Sequence, residues 1–452
     1  MERNHRLENQ KMIKLLMDLS LPATVGMLVN ALYNIVDTIF IGRGIGYLAI
    51  GGLTIAFPVQ MIIMAVAQMV GIGAASVISR SLGAKNSERA NHVAGNSFLS
   101  VAVLGILICV LGSIFIDPLL RIFGATDILL PYAKEYLQVI LIGSIYFPFA
   151  VSGNNLIRAE GNAKAAMFSM MIGAVTNIFL DYLFIFPMNM GIRGAALATI
   201  LSQLVSVIYV LSYMYGKQST LKVKLHHLKP DWKIIYETMT IGFSSFARQV
   251  AGSAMAIILN NSLTFYGGEL ALSVYGVVQR VIMFLFMPLF GIVQGMQPIV
   301  GYNYGAKKIS RVKEAVKLSI IATTIFALVS TLFGELFPNF IIGMFDKNPE
   351  LIENGVFALR IVISMVPIIG VQIIGAALFQ SIGKAIPSLI LTLSRQVLFF
   401  IPLVLILPRI YGLGLLGIWL TFPLADFLAT IFTAVMLKKE MRVMERQCSE
   451  GN

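Results

Sequence analysis

The sequence predicts an all-α integral membrane protein, with twelve transmembrane helices arranged as two pseudo-symmetric six-helix lobes. Three observations carry this: apolar runs from end to end, a one-sided distribution of basic residues, and an internal duplication. Of the 452 residues, 57% are hydrophobic and only 12% are charged, about half the charged share of a soluble domain. A chain this long cannot cover a water-facing surface with so few charges. Its runs of about 20 apolar residues are each long enough to cross about 30 Å of hydrocarbon.

Taken in order, the runs place spans at roughly 19–41, 48–79, 92–116, 132–158, 163–186, 193–215, 241–263, 270–301, 314–338, 354–380, 385–407 and 415–437. Both termini and every second loop then share one side, which holds 23 of the 34 lysines and arginines. The opposite side holds six (Arg43, Arg121, Lys134, Arg193, Lys347 and Arg409), and five fall within spans. Cytoplasmic loops carry the excess of positive charge, so both termini are expected to be cytoplasmic in a multi-pass protein of the inner cell membrane. The net charge of +12 is thus topology and not a nucleic-acid footprint. Residues 1–18 are charged and polar with no small-residue cleavage site after them, so the first span is expected to serve as an uncleaved insertion signal. Cys109, mid-span, and Cys448, in the tail, suggest neither a disulfide nor a metal motif.

Comparing the chain with itself at a single constant offset reveals the duplication. Gly83-Ala84-Lys85 falls on Gly305-Ala306-Lys307, Leu48-Ala49 on Leu270-Ala271, Gly153 on Gly375, Gly161 on Gly383 and Thr199 on Thr421. The predicted organisation is an amino-terminal lobe over 1–224, a cytoplasmic linker over 217–233, a carboxy-terminal lobe over 232–440 and a cytoplasmic tail over 441–452. Six spans per half means that both halves enter the membrane from the same side, as parallel repeats. Polar residues break the symmetry: Asp37 falls on Leu259, Asp181 on Leu403 and Asn177 on Phe399. An asymmetric polar set on a duplicated frame is what a dedicated ion or proton site would look like.

Asp37 lies among apolar residues near the outer end of the first span, and Asn177 and Asp181, four apart, share one face of the fifth. A carboxylate in hydrocarbon costs several kcal/mol, so such groups usually mark function, although tyrosine hydroxyls or neighbouring spans could also hold them structurally. Carboxylate, amide and hydroxyl oxygens suit a hard cation such as Na⁺. Two neighbouring carboxylates would repel unless one held a proton, so the same site could take H⁺. In the second half Arg395 and Asp426 are expected to form a structural ion pair between the last two spans, while Arg248 and Arg280 read as bracing or gating residues. Pro22, Pro58, Pro148, Pro288, Pro298 and Pro367 lie inside apolar helices and predict kinks. Tyr33 and several methionines could line a forgiving cavity.

These residues resemble the multidrug and toxic compound extrusion (MATE) family in its DinF-like branch. The carriers are Ser20-Leu21-Pro22 with Asp37 downstream, the paired Gly-Ala-Lys turns, Leu156 to Asn162, Asn177 to Asp181, Gly194 to Thr199, Gln294 to Ile299 and Leu393 to Gln396. The resemblance runs from about residue 12 to 440. It implies two lobes forming a V around a central cavity, and cation-coupled (H⁺ or Na⁺) antiport exporting organic, often cationic, compounds from the cytoplasm. It also implies a cation site of Asp37, Asn177, Asp181 and Thr199, with Asn154 nearby on the fourth span. The other branch adds carboxylates on the seventh and tenth spans, where this chain has no acidic residue facing the membrane core. No cofactor beyond the coupling ion is expected, and the protein is expected to be monomeric, with no nucleic-acid partner.

An ATP-driven pump is excluded by the missing phosphate-binding loop, and no soluble insertion is large enough for an enzyme domain. His5, His92, His226 and His227 lie at or outside span ends, so they form no intramembrane metal cluster. The alternative within the same superfamily is a flippase for lipid-linked oligosaccharide or peptidoglycan precursors. A receptor or scaffold without turnover fits poorly with buried, asymmetric carboxylates.

Overall fold

A backbone in hydrocarbon must satisfy its own hydrogen bonds, and the described residues do so with helices and no strand. The computed structural model describes residues 2–345 and 348–449, so Lys347 and the last three residues of the expected tail lie outside the described residues. Among the described residues, ten helices are long and apolar enough to span a membrane. One of them, Trp232–Gly305, runs for 74 residues. Straight, it would measure about 110 Å, more than three hydrocarbon thicknesses. Gly268 divides it, with φ 63° and ψ −161° taking the backbone out of the helix, so it supplies two spans. The pair Leu130–Gly143 and Phe147–Ala159, bent by 50°, supplies another. Twelve spans result.

The duplication is visible in the backbone. Lys85 and Lys307, equivalent positions of the two halves, both adopt left-handed conformations, at φ 58° and 59°. Each closes the helix before it in the same way: Lys85 N–H donates to Leu82 O and Asn86 N–H to Ser81 O, as Lys307 does to Tyr304 O and Lys308 to Asn303 O. These paired bonds satisfy carbonyls that the helix end leaves open. Gly161 and Gly383 repeat the device with φ 78° and 82°, where glycine carries no Cβ penalty.

Two compact units divide the chain: Met1–Gln10 with Leu21–Phe246, and Lys11–Ser20 with Ala247–Asn452. The first packs Ile41, Leu120, Leu137 and Leu141 in its core. The second packs Leu259, Phe400, Trp419 and Phe422. Within the first unit a Cβ on Gly73 would lie 1.9 Å from Thr238 O, and one on Gly242 would lie 1.7 Å from Met69 O. Within the second, a Cβ on Gly295 would lie 2.7 Å from Ser20 N. At the offset that pairs Lys85 with Lys307, Gly73 corresponds to Gly295 and Ser20 to Gly242, so one close backbone approach is built twice.

The prolines behave in two ways. Pro148 and Pro367 sit where spans are broken, beside the bend before Phe147–Ala159 and in the 3₁₀ turn Val366–Ile368. There proline occupies a first-turn position, where a missing N–H leaves nothing unbonded. Pro22 and Pro58 lie inside continuous helices, Met12–Gly44 and Tyr47–Gly83. At these two positions the helix continues through the proline, as membrane helices tolerate where neighbours resatisfy the freed carbonyl.

Candidate functional site: a carboxylate pair in the first unit

The first and fifth spans run side by side in a constant register. A Cβ on Gly26 would lie 3.0 Å from Met170 Sδ, and one on Gly44 would lie 2.2 Å from Ile185 Cγ2. Between these ends the Phe40 and Tyr182 rings are 6.4 Å apart. The small glycines let two helices approach closely, and the register brings Asp37 level with Asp181. The two carboxyl groups lie in direct reach of one another.

Both are withdrawn from solvent, with Asp37 9% and Asp181 0% exposed. Asp37 Oδ1, both Asp181 oxygens and both polar atoms of Asn177 have no hydrogen-bond partner. Two carboxylates in contact share a hydrogen bond only if one carries a proton. As two anions they have no donor between them, and a buried unpaired charge is costly. The gap therefore calls for a proton or a cation.

Around the pair stand hydroxyls and an amide from the first span and from other spans. Tyr33, one turn before Asp37, and Tyr136 both lie within electrostatic reach of the Asp37 carboxylate. Gln60 Nε2 donates to Tyr136 Oη at 2.9 Å, and the same hydroxyl meets Thr199. Thr199 gives its proton to Ala195 O at 3.0 Å, which leaves its oxygen lone pairs free to accept or to ligate. Ala195, Ala196 and Ala198 are fully buried and bring this helix close.

Of the five residues expected at a cation site, Asp37, Asn177, Asp181 and Thr199 gather here, whereas Asn154 is engaged elsewhere. Its Nδ2 donates to Ala166 O at 2.8 Å and its Oδ1 accepts from Arg158. Arg158 also donates to Asn155 Oδ1 at 2.7 Å, so Asn154 belongs to a brace between the fourth and fifth spans. Tyr136 and Gln60 were not anticipated. The available signal was a tyrosine within an apolar run, whose hydroxyl must find a partner once buried. In the second unit Arg395 Nε donates to Asp426 Oδ1, and Arg395 Nη2 lies 3.4 Å from Oδ2. Arg395 stands in a π-helical stretch, Ser394–Phe400, and such stretches often displace a side chain for a purpose. Arg248 lies over the Phe290 ring at 5.8 Å.

Twelve spans built as two like halves, with an unbalanced acidic pair buried in one of them, are the build of a secondary membrane transporter. The chain belongs to the MatE family, whose model matches it twice, over residues 22–183 and 245–406. Among curated relatives, the multidrug export protein MepA of Staphylococcus haemolyticus is 26% identical over 406 residues, covering 90% of this chain and 89% of the relative. MepA of Staphylococcus aureus is 25% identical over 451 residues, covering 100% and 99%. Among solved structures, an outward-facing multidrug resistance MATE family transporter of the MOP superfamily superposes with a TM-score of 0.92 at 28% identity, covering 98% of each chain. A MOP superfamily transporter from Pyrococcus furiosus, for which reversed pocket polarity suggests a different function, gives 0.92 at 28%, covering 97% and 98%.

Proposed function

We propose that the protein is a cation-coupled antiporter of the DinF-like branch that exports organic, often cationic, compounds, with the Asp37–Asp181 pair as its coupling site. One observation carries this reading: two buried carboxyl groups in contact, with oxygens that no protein donor reaches. Such a site cannot stay doubly charged and empty without large cost, so it binds H⁺ or Na⁺ and gives it up when the spans around it rearrange. Asn177 and Thr199 supply neutral oxygens, which suit a hard cation such as Na⁺. The whole-length similarity to proteins named for multidrug export supports organic compounds as substrates. No cofactor is needed, because the coupling ion supplies the free energy and no bond is made or broken.

Purified protein in liposomes separates this reading from the flippase alternative. An imposed pH or Na⁺ gradient should drive accumulation of a fluorescent organic cation, and collapse of the gradient by an ionophore should release it. Translocation of a lipid-linked oligosaccharide probe without such accumulation would replace the antiporter reading.

Orientation follows from the basic loops and has its own test. A single cysteine at the exposed Lys224, in a background lacking Cys109 and Cys448, should react with a membrane-impermeant maleimide only after permeabilisation. Ready labelling from outside intact cells would invert the topology.

A further inference from the structure

The connector between the halves is strapped down. Glu160, buried at the end of the fourth span, accepts from Ser219 Oγ at 2.8 Å and Thr220 Oγ1 at 2.7 Å. Further along, Lys222 N–H donates to Asn91 Oδ1, and Asn96 bonds His227 O, Lys229 O and Asp231 N. Asn91 and Asn96 lie on the third-span helix Ser87–Ile114. The same face of that helix carries Glu88 and His92, one turn apart. Across from them the connector presents His226 and His227, and the four side chains hold their ligand-type atoms within 4.8 Å of one another.

We infer that Glu88, His92 and His226 form a binding site for a divalent transition metal of the Zn²⁺ class, which fastens the connector to the third span. The ring nitrogens left free by other bonds distinguish the roles. His226 Nε2 lies 3.2 Å and His92 Nε2 3.5 Å from Glu88 Oε1. A tetrahedral ion with bonds of about 2.0–2.1 Å separates its ligand atoms by about 3.3–3.4 Å, so both spacings fit a coordination edge, and without an ion His226 Nε2 hydrogen-bonds Glu88 Oε1. His227 differs. Its Nδ1 accepts from Lys224 N–H at 2.8 Å, so its proton sits on Nε2. That Nε2–H donates to Glu88 Oε1 at 2.9 Å, an ordinary hydrogen bond. His227 has no free lone pair for a metal and instead orients the ligating carboxylate, as partners of metal ligands commonly do.

Imidazole and carboxylate suit Zn²⁺, Co²⁺ or Ni²⁺ better than Ca²⁺ or Mg²⁺. His227 is buried, whereas Glu88, His92 and His226 remain open to water, which leaves an entry path and room for a solvent ligand. The frame itself does not require the cluster: in the second half, Ser310 and Glu314 stand at the positions equivalent to Glu88 and His92.

The test uses the full-length protein purified through a tag without histidines and stripped with a chelator. Titrated Co²⁺ should bind with one-to-one stoichiometry, produce the intense visible bands of a four-coordinate ion, and be displaced by Zn²⁺. The variants His92→Gln and His226→Gln should each abolish those bands, while His227→Gln should keep the site but weaken it about 10–100-fold. Zn²⁺ should raise the midpoint of thermal unfolding of the parent and leave the first two variants unmoved. Their monodispersity and metal-free unfolding midpoints confirm that they fold. Six-coordinate spectra, no uptake at micromolar Co²⁺, or uptake unchanged in folded His92→Gln and His226→Gln would overturn the assignment.

Discussion

Replacing Asp181 with asparagine should reduce gradient-driven efflux to the level of protein-free liposomes while leaving the protein at least as stable as the parent. Asparagine keeps the volume of the side chain and brings an amide that can donate to Asp37, supplying the donor that the pair lacks. Because the amide supplies the hydrogen bond that otherwise needs a bound proton or cation, unfolding stability should stay level or rise, by at most about 1–3 kcal/mol. Asp37→Asn should behave in the same way. The reference substitutions are Leu259→Asn and Leu403→Asn, at the corresponding places in the second half. Leu259 is fully buried in an apolar cluster and Leu403 packs against that cluster. An amide there meets no partner and should cost about 2–4 kcal/mol of stability, with coupling retained in the molecules that fold. Opposite signs for stability and transport separate a coupling site from a structural one. Wild-type transport by both aspartate variants would remove these residues from the mechanism.

The second large effect is exclusion of Na⁺ by protons. If one cavity serves both, protonating either carboxyl group removes charge that Na⁺ needs, and bound Na⁺ holds the proton off. The two effects are equal by linkage, and a one-for-one exchange lowers apparent Na⁺ affinity about tenfold per pH unit across the titrating range. Affinity should be full at high pH and lost as pH falls. Thr199→Val removes a ligating oxygen but no titrating group, so it should weaken Na⁺ binding more than proton binding. The same holds for Tyr136→Phe if its hydroxyl orients Thr199, which it meets. Calorimetric Na⁺ titration of purified protein across pH, with and without Asp181→Asn, measures both. An Na⁺ affinity indifferent to pH would leave the aspartates as separate proton carriers.

Much of this architecture is legible in the chain because hydrocarbon imposes one-dimensional rules. Span length, loop charge and a repeat at constant offset depend on local composition and require no knowledge of which residues touch. The asymmetry of Asp37, Asn177 and Asp181 could be read for the same reason: a polar residue facing its own apolar counterpart stands out by position alone. The sequence marks where an N–H is missing, but only packing decides whether the helix breaks, as at Pro367, or continues, as at Pro22.

What only the tertiary structure decided is how each polar atom is used. Asn154 and Asn177 are the same residue type on apolar spans, yet Asn154 has both polar atoms bonded and Asn177 has neither. Tyr136 comes within electrostatic reach of Asp37, and Gln60 bonds its hydroxyl, both from spans other than those of the two aspartates. His227 meets Glu88 across 139 residues of chain, a distance over which periodicity carries no signal. By itself the sequence determined the solvent, the number of spans, the duplication and the unbalanced carboxylates, since each follows from what a segment is made of. Which oxygens are left without donors, and which imidazoles converge, depends on helix register set to within a few ångströms by close approaches such as Gly44 on Ile185. Hydrogen bonding and coordination act over just that distance, so those features had to wait for the packed structure.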